Sequence, residues 1–300
     1  MIKEALTTST PSAQAESNLG ARYVGQRAAF GTLWVAGAIT VVVLALVIGY
    51  VGSHGAGVIN WEFLSTPPRG GLSGEGGISS TIVTTLYLAI LTLSIATPLG
   101  VFAAIYLVEY AEEIRGAGGI IPKLVGIARF GVETLAGVPS ILFGLFGYLL
   151  FVVAMDFGFS LLAASLAGAS LILPVIIRTS EEALRTVPRS YREGSLALGA
   201  TKWQTISNVV LPSALPGIIT GIVLSLGRVV SETAVFYVTL GGTYKTPKSI
   251  MSGGRTMALH VYYLAMETRA FDKSMGTGAI LIATIILINL VINLISRRLQ

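Results

Sequence analysis

GGISSTIVTTLYLAILTLSIATPLGVFAAIYLV, residues 76–108, contains no charged side chain. It is long enough to cross a bilayer, which takes about 20 residues of α-helix. Four other charge-free runs of spanning length occur, from Ala28 to Val51, Thr134 to Met155, Phe157 to Ile177 and Ser274 to Ser296. A sixth apolar run, Ala214 to Val238, is interrupted only by Arg228 and Glu232. Lipid offers the backbone no hydrogen-bond partner, so runs of this kind form helices, and the alternating ten-residue pattern of a membrane barrel is absent. The expected fold class is all-α, a polytopic membrane protein with six transmembrane helices.

Composition agrees. Of the 300 residues 53% are hydrophobic and 12% charged, against about a quarter charged in soluble domains. With no cysteine the chain has no disulfide, no thiolate metal site and no cysteine nucleophile. Residues 1–27 are polar and rich in Ser, Thr and Ala, which predicts a flexible cytoplasmic tail ahead of a permease domain over 28–300. The run that follows the tail is too long for a cleaved signal core and reads as a retained helix.

Six spans put both termini on one side, and Lys/Arg bias chooses it. Lys3, Arg22 and Arg27 in the tail, Arg115, Lys123 and Arg129 in the second loop, Arg178, Arg185, Arg189, Arg192 and Lys202 in the fourth, and Arg297 and Arg298 at the end mark the cytoplasm. The fifth loop dissents with Lys245, Lys248, Arg255, Arg269 and Lys273. Its amphipathic stretch Met257 to Met266 reads as an external helix, for which charge bias is the weaker guide. The net charge of +5 follows from topology and gives no ground for nucleic-acid binding.

The fourth loop, about 186–212, is punctuated for structure. Pro188 can open a helix that Gly199 ends in a left-handed residue; Thr201 and Gln204 then form a capping box, and Pro212 is expected to stop a second helix. The product is a helical elbow beneath the membrane. Glu193-Gly194-Ser195, Gly199 and Val209-Val210-Leu211-Pro212 resemble the E-A-A…G…I-x-L-P signature of ABC importer permeases, with Gly194, Ser195 and Val209 as small departures. The resemblance implies that the elbow seats in a groove on an ATPase subunit. An amphipathic connector on the inner leaflet is the plainer alternative, but it does not require Glu, Gly and Leu-Pro at these separations. No G-x-x-x-x-G-K-[ST] occurs, so ATP and magnesium are expected on a partner chain.

Arg228 and Glu232 are charges inside a span, which marks them as functional candidates. Their i, i+4 spacing puts them on one helical face, in line with Gly217, Gly221 and Ser225. That face should line either a helix interface or a water-filled path. A self-neutralising ion pair is the structural alternative, though the base precedes the acid, the less favourable order. A guanidinium fork suits oxyanions, and a carboxylate one turn away could take the Arg over as the anion leaves.

Asn60-Trp61-Glu62-Phe63-Leu64, Tyr106-Leu107-Val108-Glu109-Tyr110-Ala111, Gly137-Val138-Pro139-Ser140-Ile141, Arg178-Thr179-Ser180-Glu181 and Arg228-Val229-Val230-Ser231-Glu232-Thr233-Ala234 together resemble the PstA permeases of Pst-type phosphate importers. The resemblance implies a type I ABC importer permease fold in the bacterial inner membrane, with a PstC-like second permease, a PstB-like ATPase dimer and a PstS-like periplasmic phosphate-binding protein. It makes Arg228, Glu232, Arg178 and Glu181 the translocation candidates, and Glu193, Gly194, Ser195, Gly199, Leu211 and Pro212 the coupling residues. The chain departs from the family at Ser231, usually Gly, and Val235, usually Pro. No catalytic group, cofactor or metal site of its own is expected. A permease for sulfate, molybdate or phosphonate, or an ATP-independent anion transporter, would also explain buried charges; only the former also accounts for the elbow.

Overall fold

The computed structural model describes residues 13–69, 74–111, 119–268 and 270–298. Residues 1–12 of the expected tail, together with Arg115 and Arg269, lie outside them. The chain separates into two compact units, residues 1–53 and 54–300. The first holds most of α1 (Ala13–Gly55), which begins inside the segment read as a tail. From Gly25 to Tyr50 it is exposed on every side, as expected of a span that faces lipid or another subunit.

The second unit is a helical bundle. After a short α2 (Trp61–Ser65), capped by the Asn60 side chain, a two-residue hairpin pairs β1 (Pro68–Arg69) with β2 (Glu75–Gly76). The second span is α3 (Ser79–Ile105), extended by a π-helical turn Tyr106–Tyr110. Expected span three, Thr134 to Met155, is not straight. The apolar stretch belongs to two helices, α4 (Ile120–Ala136) and α5 (Ser140–Gly147), the latter continuing as a π-helix to Ala154. The two parts meet at 110°. Pro139 explains the break, because the residue before a proline is steered out of the α region and Pro139 itself is extended (ψ 137°).

The fourth span is α6 (Leu161–Thr186), started by the Ser160 side chain and reaching past the expected end at Ile177. The elbow follows as α7 (Arg189–Ala197) and α8 (Lys202–Thr205). The expectation that Pro212 stops the second elbow helix is corrected here: α8 runs through a π-turn, Ile206–Val210, straight into α9 (Leu211–Ser231). The π-turn just ahead of Pro212 is the kind of local adjustment that lets a continuous helix accommodate a proline lacking its N–H. Two short helices, α10 (Ala234–Thr239) and α11 (Met257–Met266), precede the last span, α12 (Phe271–Arg298). Among the described residues five helices are long and apolar enough to cross a membrane, six if the bent pair is counted as one span.

α6 is the axis of the bundle. One core cluster joins it to α3, α5, α9 and α10 through Leu88, Ile172, Ile176, Val229 and Phe236. A second, at the elbow end, gathers Ile105, Val108, Leu184, Ile206 and Val210. The elbow is therefore rooted in apolar packing rather than hung from the bundle.

Candidate functional site

Local chemistry builds the elbow as its sequence predicts. α7 ends at Ala197 and the chain reverses at Gly199, whose φ of +84° is the left-handed conformation that favours glycine. Thr201 then caps α8. Its backbone N–H donates to Gln204 Oε1 at 2.8 Å, and the Gln204 N–H donates to Thr201 Oγ1 at 3.3 Å, so both halves of the capping box are made. The Ser195 and Thr205 hydroxyls meet at 2.9 Å and brace the two arms. Ser195, one of the departures from the E-A-A triplet, thus has a mechanical task that alanine could not perform. Glu193 and Gly194 are exposed, and beside them stand three apolar side chains without cover: Leu198 at 91%, Tyr191 at 54% and Trp203 at 53%. Bare aromatic and aliphatic groups at the tip of an ordered turn are what a docking surface requires.

Arg178 and Glu181 come together near the C-terminal end of α6. They line a cavity of about 240 Å³ with Arg129 and Glu133 of α4 and with Glu182 and Arg185. Glu181 pairs with Arg185 at 3.7 Å. Arg129 was read only as part of the charge bias; here its Nη2 donates to the Leu107 carbonyl at 2.6 Å. Its Nε is buried without a hydrogen-bond partner among the described residues. Sequence spacing does not pair Arg129 and Glu133 with residues so much later in the chain; the packing of α4 on α6 brings them together.

Arg228 and Glu232 are arranged differently from the expectation of one helical face. α9 ends at Ser231, and Glu232 is extended (ψ 132°), so i, i+4 geometry does not apply. The carboxylate turns forward, and its Oε1 accepts from Ala234 N at 2.9 Å and Val235 N at 3.3 Å, capping α10. No ion pair within 4.0 Å joins it to Arg228 among the described residues. The Arg228 guanidinium is half-buried and has no hydrogen-bond or ion-pair partner among those residues. It does not line the cavity that holds Arg178 and Glu181. The small residues ahead of it form a helix interface rather than a water path. A Cβ on Gly217 would come within 2.6 Å of Ala183 Cβ, and one on Gly221 would collide with Thr179 Oγ1.

A residue the sequence singled out only as part of a motif makes a close, buried ionic contact. Glu109, in the π-turn after α3, is buried and receives Arg192 of α7 at 2.6 Å. The signal was available in principle: a lone carboxylate closing a charge-free run calls for a partner.

Residues 117–300 match the family described as binding-protein-dependent transport system inner membrane component. The chain belongs to this family. It is an ABC importer permease, a non-catalytic, multi-pass subunit of the inner membrane that works with an ATPase and a substrate-binding protein supplied by other chains. Among its relatives is the probable ABC transporter permease protein YqgI of Bacillus subtilis, 30% identical over 90% of this chain and 94% of that one. The phosphate transport system permease protein PstA 1 of Mycobacterium tuberculosis is 38% identical over 72% of this chain and 68% of its own. The PstA protein of Xylella fastidiosa is 31% identical over 79% of each. Two solved structures show the permease fold. The alginate ABC transporter matches with a TM-score of 0.63 at 16% identity, covering 91% of this chain and 96% of that one. The methionine transporter MetNI matches with a TM-score of 0.55 at 23% identity, over 75% of this permease and 94% of that chain.

Proposed function

We propose that this permease carries inorganic phosphate into the cytoplasm by alternating access, driven by ATP hydrolysis on a PstB-like ATPase pair. A PstC-like second permease and a PstS-like binding protein complete the importer, with nucleotide and magnesium held by the ATPase. The observation that carries the substrate is the likeness to several PstA proteins over most of the chain, at identities up to 38%. Arg228 supports it. A half-buried guanidinium in a span, with no partner among the described residues, offers the planar fork that binds two oxygens of an oxyanion. Because the Glu232 carboxylate is engaged at α10, the anion meets the Arg without a competing carboxylate in this conformation. Arg178 and Glu181, with Arg129 and Glu133, stand as the next charged groups toward the elbow.

The exposed tip of the elbow supports its reading as the ATPase contact through Glu193, Gly194, Ser195 and Gly199, with Leu211, half-buried against the second core cluster, and Pro212 at its root. The same reading sets the elbow and both termini in the cytoplasm. The test is uptake of labelled phosphate by vesicles holding the assembled importer, with and without ATP and against sulfate, molybdate and phosphonate as competitors. ATP-dependent phosphate uptake is expected, and Arg228→Lys should lower it by about tenfold or more at unchanged assembly, since an ammonium cannot offer the fork. Import of another oxyanion in preference, or full uptake by Arg228→Lys, would refute this reading.

A further inference from the structure

One short turn holds both arms of the elbow. Tyr106–Tyr110, the π-helical extension of α3, carries Glu109, whose carboxylate takes three contacts from Arg192 on α7. Nε reaches Oε1 at 3.1 Å and Oε2 at 3.2 Å, and Nη2 reaches Oε1 at 2.6 Å. The same guanidinium donates to the Leu184 carbonyl at 2.9 Å and the Val187 carbonyl at 2.7 Å, at the C-terminal end of α6 where a cation is favoured. The neighbouring Tyr110 lies under the other arm, with Lys202 Nζ of α8 4.6 Å from its ring centre. Because Ser195 and Thr205 brace α7 against α8, the elbow is gripped at two points as one body.

The same turn also has a hold on the bundle. The Leu107 carbonyl accepts from Arg129, which lines the cavity with Arg178 and Glu181. A pull on the elbow therefore reaches, through one turn of backbone, the side chain that walls the charged cavity. Simple stabilisation is a poor account of such a pair. A buried ion pair seldom outperforms apolar residues of the same volume, and its best attested use is to fix register between elements.

We propose that the Tyr106–Tyr110 turn is the clamp through which elbow movement is passed to the transmembrane helices, with Glu109 and Arg192 as its positioning residues. The proposal rests on the elbow being the element that docks the ATPase. Loss of the clamp should leave docking and hydrolysis in place while transport no longer follows, a result that merely structural damage would not give.

The experiment uses the full importer in vesicles and reads three quantities: ATPase retained on the purified permease, ATP hydrolysed, and phosphate imported per ATP. Glu109→Gln should retain the ATPase and hydrolyse within about twofold of normal, while phosphate imported per ATP falls about tenfold or more. Arg192→Lys, which keeps the charge but not the fork, should behave alike. It serves in place of Glu109→Gln should that variant fail to assemble. The double variant Glu109→Gln/Arg192→Lys should be no worse than either single, because one interaction is being removed. A normal ratio in the single variants, additive losses, or reduced assembly at an unchanged ratio would each overturn the clamp. Docking is tested separately by Leu198→Asp and Trp203→Asp at the exposed tip. If these keep the ATPase bound, the elbow's assignment fails, whatever Glu109→Gln does to the ratio.

Discussion

Glu232 sits where α9 stops and α10 begins, and its Oε1 accepts from the Ala234 and Val235 amides ahead of it. Two tasks could therefore be confused at this position: satisfying helix N–H groups and carrying a negative charge near Arg228. Glu232→Gln separates them, since the amide oxygen can still accept. We expect Glu232→Ala to lower stability by about 0.5–2 kcal/mol, the usual cost of a lost cap, and Glu232→Gln to stay near wild type. Thermal melts of the detergent-solubilised complex measure this, and equal losses in both variants would show that the capping bonds do not matter. The i, i+4 reading of Arg228 and Glu232 failed for a reason visible in the chain. Ser231 and Thr233 flank Glu232 with hydroxyls that compete for backbone groups, which weakens continuation of the helix there. Arg228 itself was legible, because a charge in an apolar run needs no geometry to be noticed.

Elements whose signals are local were read well, and those set by a single dihedral angle were not. The Thr201–Gln204 capping box and the reversal at Gly199 are local and appear as expected. The 110° bend between α4 and α5 was missed because counting apolar residues is blind to Pro139, which breaks the helix without adding a charge. Helix α11 was found with its bounds, Met257–Met266, but the reason it buries a histidine was not. His260 Nδ1 lies 3.4 Å from Arg255 Nη1, and the Arg255 guanidinium rests 4.0 Å from the Tyr263 ring centre. Burial, then Arg255 and Lys273, push the His260 pKa down to about 3. The unfolded chain takes up this proton near pH 6.5 and the folded one does not until about pH 3, so stability should decline as pH falls through that window and level off below it. The slope is at most about 1.4 kcal/mol per pH unit. His260→Asn, which keeps an acceptor near Arg255, should flatten the profile between pH 7 and 5. An unchanged slope in that variant would mean that other groups govern the acid sensitivity.

At the scale of the whole molecule the question is which end faces the cytoplasm, and the fifth loop's five basic residues argue against the other loops. The structure reduces their weight. Arg255 is buried against Gly242 and Tyr263, and Lys273 Nζ donates to the Gly74 carbonyl at 2.5 Å, so neither is a free loop charge of the kind that biases insertion. The elbow end keeps its excess of Lys and Arg beside a bare apolar tip. The proposed orientation, with the bent pair counted as one crossing, sets that end and both termini on one side. Native cysteine is absent, so single-cysteine labelling has no background. Lys245 is exposed in the fifth loop and Leu198 at the elbow tip. We expect Lys245→Cys to react with a membrane-impermeant maleimide in intact spheroplasts. Leu198→Cys, in cells lacking the ATPase that would cover it, should react only after the membrane is opened. The reverse pattern would invert the permease, and an elbow outside the cell could meet no ATPase. Labelling of both positions from outside would instead mean that α9, the one span between the two loops, does not complete a crossing.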